Sequence, residues 1–190
     1  MYQVQCSKVI TFILTLFLCI CSQGLFAKDP LKKSNTLEKE FPWNEQRRLT
    51  WDDFKGPTPA NADNSTAAVT FCGIGFEANT TTNESKAKVT VYNTFYTNQS
   101  WVRTDGKSPE ILAHEQGHFD ICEIYTRKLR EEMTNASVTV NNLKSVLQSI
   151  YDEVNKEYEN RQLAYENETK HGTITVQQQR WSKIIAQELN

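Results

Sequence analysis

Histidine is scarce in this chain: there are three in 190 residues, and two of them stand four residues apart. Glycine (7) and proline (5) are also few, which excludes collagen-like and low-complexity architectures. Neither sign of charge dominates. Lys and Arg total 21 against 23 Asp and Glu, a formal net charge of −2, so the chain lacks the basic field that a nucleic-acid partner requires. A hydrophobic content of 38% with 11% aromatics nevertheless places it among foldable globular sequences. The one long apolar run, residues 9–20 (VITFILTLFLCI), is short for a bilayer span.

That run has the anatomy of a secretory leader. A short n-region carrying Lys8 precedes it, and a more polar stretch ending at Ala27 follows it, so residues 1–27 read as a signal peptide. The expected location is secreted or periplasmic, with no membrane span in the mature chain. A lipoprotein anchored through Cys21 is the alternative, but Leu18, Cys19 and Ile20 ahead of it match poorly the small residues that lipidation prefers. Cleavage removes Cys6, Cys19 and Cys21 and leaves Cys72 and Cys122. An even pair in an oxidising compartment is expected to form one disulfide.

Residues 28–42 are polar and aperiodic, a flexible lead-in, and residues 43–190 read as one domain. Residues 67–76 (AAVTFCGIGF) and 88–96 (KVTVYNTFY) are rich in Val, Thr, Phe and Tyr and predict two strands joined by a polar connection. Alternation in the second places Val89, Val91 and Phe95 on one face, with Thr90, Tyr92 and Tyr96 on the other. Ser108-Pro109-Glu110 then gives a helix start: a hydroxyl cap, a proline at the first helical position, and an acid in the first turn. That helix is expected to run to about Met133, with Ile111, Leu112, Phe119, Ile121, Cys122, Tyr125, Leu129 and Met133 inward and Gln116, Asp120 and Glu123 on the polar side. A second helix begins near 141–142 and carries Leu147, Tyr151, Val154, Tyr158 and Tyr165 on one face until residues 169–172 break the pattern. A third, about 175–189, turns Val176, Trp181, Ile184, Ile185 and Leu189 inward. Strands followed by three helices make an α+β fold.

The first of these helices contains His114-Glu115-Gln116-Gly117-His118. Residues four apart lie one turn apart on one face, so two imidazoles can grip one metal ion from a rigid rod. Glu115, about 100° round, can reach a water at an open coordination position and act as its general base. A catalytic zinc site needs a third protein ligand. A metzincin-type ligand six residues beyond His118 would fall on Ile124, which excludes that class. Asp120 points about 200° away from His118. Glu153 falls outside the inner face of the second helix, Glu157 lies at its edge, and Cys122 shares the metal-side arc. His171 is the one remaining histidine and the economical choice, with Glu157 and Cys122 left open.

The sequence also resembles a known family. The segments 49–56 (LTWDDFKG), 67–70 (AAVT), 100–102 (SWV), 114–120 (HEQGHFD) followed by ICEIY, and 165–172 (YENETKHG) occur in this order. They are similar to the bacterial domain-of-unknown-function family 922, predicted secreted zinc-dependent proteases. The resemblance runs from about Leu49 to the C-terminus, with HEQGHFD and the downstream E-T-x-H-G its most specific parts. It implies that His114, Glu115, His118 and His171 are functional. Glu166 departs from it, standing where the resemblance leads to Asp.

These readings converge on a small α+β, zincin-like metallopeptidase domain: antiparallel strands, a buried HExxH helix and supporting helices. The expected cofactor is Zn2+, held by His114, His118 and His171. Glu115 is the general base, and Tyr165 is a candidate donor to the developing oxyanion because it continues the inner helix face just ahead of His171. The expected partner is a peptide or protein substrate, including cell-wall peptide, and no nucleic acid. The reading from another class is a secreted non-catalytic protein that binds zinc structurally or binds an envelope ligand. A closed site with four protein ligands would favour it.

Overall fold

A computed structural model describes residues 39–79, 87–139 and 141–190. The expected leader, Cys21 within it and residues 28–38 of the expected lead-in lie outside them. The end of that lead-in departs from expectation. Glu40–Phe41 is a strand, β1, because Phe41 is buried and stacks on Phe95 at 4.9 Å between ring centroids.

The expected first strand is two strands. Ala68–Val69 (β2) pairs antiparallel with Trp101–Val102 (β5), while Cys72–Asn79 (β3) pairs antiparallel with Lys88–Tyr96 (β4). Ser100 holds the break open, accepting from the Phe71 amide at 2.9 Å and donating to the Tyr96 carbonyl at 2.9 Å. The resulting sheets have the orders β1-β4-β3 and β2-β5. The alternation read for β4 holds. Val91, Asn93 and Phe95 are buried, while Thr94 and Tyr96 on the other face are half-exposed.

The three helices are α1, Pro109–Asn135; α2, Leu143–Thr169; and α3, Thr175–Leu189. Ser108 caps α1, its side chain accepting from the Ile111 amide at 3.2 Å. Phe119, Ile121, Cys122, Leu129 and Met133 of α1 join Leu147, Tyr151, Val154, Tyr158 and Tyr165 of α2, Trp181 and Ile185 of α3, and the inner face of the sheet in one core. Val176 departs from expectation and is 74% exposed, because α3 turns only Gln178, Trp181 and Ile185 fully inward. Among the described residues no helix is long and apolar enough to cross a membrane.

The polar side of α1 is buried as well. Gln116 accepts from the Leu49 amide at 2.7 Å and donates to Asp120 at 2.7 Å. Asp120 also takes the Trp43 indole N–H at 2.8 Å and the Arg48 guanidinium at 3.1 Å. Glu123 binds Asn93 of β4, whose amide oxygen holds the Trp43 backbone. Residues 43–49 therefore lie as a strap over the face opposite the histidines, and each buried polar group in it is matched. The Asp120→Ala substitution would strand the Trp43 and Gln116 donors. It is expected to destabilise the fold by about 1–3 kcal/mol, read from the urea unfolding midpoint at unchanged slope.

Candidate metal centre

His114 is buried and His118 nearly so, both facing α2 from one side of α1. What lies opposite them is Glu166. Its Oε2 stands 3.0 Å from His114 Nε2 and 3.2 Å from His118 Nε2, and the two Nε2 atoms are 3.1 Å apart. Among the described residues this trio is the one group of three potential ligands close enough to share a metal ion.

The outer nitrogen of each ring decides the character of the inner one. Gln162 donates its amide to the His118 carbonyl at 2.9 Å, so its Oε1, 2.6 Å from His118 Nδ1, is an acceptor. His118 Nδ1 therefore carries hydrogen. Gln178 likewise donates to the Tyr165 hydroxyl at 2.8 Å and presents Oε1 to His114 Nδ1 at 3.1 Å. Two imidazole nitrogens and a carboxylate oxygen thus converge, a donor set that suits a divalent cation and matches the two-His, one-Glu set of catalytic zinc sites.

Burial lowers the His118 imidazole, but the Glu166 hydrogen bond and the charges of Glu115 and Glu166 outweigh it and raise it to about 9. Burial likewise pushes the Glu166 carboxyl up, and the hydrogen bonds from His114, His118 and His171 hold it well below the ordinary carboxylate range.

His171 is not in the trio. It reaches the other oxygen of Glu166, Nδ1 against Oε1, and acts on the carboxylate rather than beside it. The acid noted in the sequence only as a departure thus takes the place expected of the histidine. Neither of the remaining acids nor the thiol reaches the trio: Glu157 pairs with Lys128 across the helices, Glu153 is exposed, and Cys122 is fully buried. The structure holds no bond between Cys72 and Cys122, the pair expected to form a disulfide. Both are buried thiols in mutual contact, and Cys72 Sγ also meets Tyr158 Oη at 3.5 Å and the His118 carbonyl at 3.8 Å. Hydrogen bonding to Cys122 lowers the Cys72 thiol below its usual range.

Tyr165 is also placed differently from expectation. It is fully buried, stacks on His114 at 4.8 Å, and donates its hydroxyl to the His114 carbonyl at 3.0 Å. A hydroxyl committed to backbone inside the core holds the histidine helix and does not face a substrate. Its access depends on Gly117. A Cβ at that position would lie 2.3 Å from Tyr165 Oη.

A cleft of about 460 Å³ opens over the trio. His114, Glu115, His118, Glu166 and His171 form its floor, and Val69, Thr70, Phe71 and Trp101 are among its walls. Thr70 ties β2 to the motif, donating to the Glu115 carbonyl at 3.2 Å. Glu115 is 3% exposed, and its Oε2 finds no hydrogen-bond partner among the described residues.

Sequence reasoning missed Gln162, Glu166 and Gln178. A usable signal was present for two of them: Gln162 and Glu166 are four apart on α2, the same period that aligns His114 and His118 on α1. The close approach of the two helices yields a direct test. Gly117→Ala is expected to lower stability by about 1–3 kcal/mol in urea unfolding, through overpacking against Tyr165. Gly73→Ala, where the nearest atom to a new Cβ is 4.0 Å away, should leave the midpoint unchanged or slightly raised.

No curated protein and no solved structure matches the chain. Residues 53–172, which include strands β2 to β5, the whole of α1 and α2, and His171, match DUF922, a bacterial protein family of unknown function. The chain belongs to this family.

Proposed function

We propose that this protein is a zinc-dependent peptidase with a zincin-like arrangement, acting outside the cytoplasm on peptide or protein substrates, cell-wall peptide included. The observation that supports it most is the convergence of His114 Nε2, His118 Nε2 and Glu166 Oε2 within about 3 Å of one another beneath a cleft, beside a buried Glu115 oxygen that has no partner among the described residues. Three protein donors leave a coordination position for water, the mark of catalytic rather than structural zinc sites.

Zinc bound there would supply Lewis acidity, lowering the pKa of a water and polarising a carbonyl. The chain supplies the rest. Gln162 and Gln178 hold the two imidazoles with their Nε2 atoms inward. Glu115 takes the proton from the attacking water and returns it to the leaving amine, a task suited to a carboxylate oxygen with no competing bond. Val69, Phe71 and Trp101 offer apolar wall to the substrate and reduce access of bulk water to the floor. Tyr165 has no part in this reading beyond fixing α1.

The purified protein is expected to take up one equivalent of zinc, and His114→Ala and Glu166→Ala to lose it, as measured by metal analysis after dialysis. Glu115→Gln should keep its zinc and its unfolding midpoint. Its turnover of a broad peptide library should nevertheless fall by at least about 10²-fold, since general-base removal acts on the transition state. Equal turnover by zinc-loaded Glu115→Gln and wild type would remove Glu115 from the mechanism.

A further inference from the structure

The two oxygens of Glu166 have different neighbours. Oε2 faces both inner histidine nitrogens, and Oε1 is taken by His171 Nδ1. An ionised carboxylate only accepts, so Nδ1 is the donor. The backbone that delivers His171 is unusual. Lys170, His171 and Gly172 follow one another at φ 49, 56 and 75, and residues other than glycine enter that left-handed region at a cost. The turn is pinned by Lys170 N to the Glu166 carbonyl at 2.9 Å and Ile174 N to the Thr169 carbonyl at 3.0 Å. At its end Gly172 passes so close to the motif helix that a Cβ there would lie 2.8 Å from His114 Cβ. Strained backbone over-determined in this way collects at functional sites.

Building on the metal-site reading above, we propose that His171 is a positioning residue that restricts Glu166 to a single metal-facing oxygen and so keeps one coordination position open. A carboxylate can bind a metal through one oxygen or both. With both, two imidazoles and Glu166 would supply four donors and close the position that a hydrolytic site needs for water. The hydrogen bond from His171 occupies the oxygen that would make the second bond. Outer partners of this kind commonly set the orientation of metal-binding carboxylates and histidines. His171 thereby separates a hydrolytic arrangement from a closed one with the same three metal-binding residues.

The test uses the purified protein, cobalt(II) as the only added metal, and three variants. His171→Gly removes the side chain while tolerating the left-handed backbone. In His171→Asn the side-chain amide stands where Nδ1 stands, bonded to Cγ, and asparagine also accepts that backbone region. In His171→Gln the amide stands further out, at the level of Nε2. His171→Ala serves as a second deletion should the glycine variant fail to fold. Wild type and His171→Asn are expected to share one visible cobalt spectrum of low coordination number. The deletion should show a weaker band of higher coordination number and a loss of cobalt affinity of roughly tenfold to hundredfold. His171→Gln should resemble the deletion. If the deletion matches wild type in both spectrum and affinity, or if His171→Asn loses cobalt as the deletion does, the positioning role is overturned, the second result making His171 a ligand. A wild-type protein that binds neither cobalt nor zinc would overturn the metal-site reading as a whole.

Discussion

The site depends on how closely α2 approaches α1 at one residue. Gly117 stands between the two histidines, and Tyr165 Oη lies where a side chain on residue 117 would begin. That contact seats the Tyr165 ring flat on His114 and edge-on to His118, with centroids 4.8 Å from each. The next residue, Glu166, is then carried to the pair, and Gln162, one turn earlier, to the outer nitrogen of His118. A larger residue at 117 would separate the helices and draw the carboxylate away from the nitrogens. One missing side chain therefore sets the spacing of all three donors, and interiors packed at crystal-like density transmit such a change rather than absorb it.

The same helix serves two opposite demands. Its histidine side brings two imidazole nitrogens and a carboxylate oxygen together, which is costly in a folded protein unless a proton or cation joins them. Its other side, Gln116, Asp120 and Glu123, is fully matched by the strap of residues 43–49 and by Asn93. Every polar group on that second side adds to the rigidity with which α1 is held, and a rigid support is what pre-organised sites require. This accounts for Gln116 and Asp120 of the HEQGHFD segment as parts of the scaffold, distinct from the two histidines and Glu115.

Much of the architecture was legible because it follows from period and caps. Ser108 and Pro109 mark the start of α1, the three-and-four spacing from Leu147 to Tyr165 marks the inner face of α2, and the alternation of β4 marks its buried face. What was not legible depends on tertiary contact. The polar side of α1 reads as solvated by composition and is buried only because residues 43–49 fold over it. The strand expected over residues 67–76 is divided by Ser100, about thirty residues away in sequence. The place of His171 was not legible for a related reason. Counting histidines favours His171, but residues 170–172 turn through a left-handed run that aims that ring at the carboxylate instead. Tyr165 was rightly placed on the inner face of α2. Periodicity gives the face of a residue but not the partner of its hydroxyl.

A carboxylate in place of a third imidazole also changes the electrostatics of the floor. With three neutral histidines, a divalent cation would leave two uncompensated charges, reduced to one by Glu115. With Glu166 ionised, the cation, Glu166 and Glu115 sum to zero in a region where Glu115 is 3% exposed and unmatched charge is expensive. Neutrality has a chemical cost as well, since an anionic donor makes the metal a weaker Lewis acid than three neutral ones would. In the proposed site the His171 hydrogen bond would offset part of that cost, because it draws electron density toward Oε1 and away from Oε2. A ring outside the proposed donor set would thereby tune it, and the strained turn that carries His171 is the structural cost of placing a donor at Oε1.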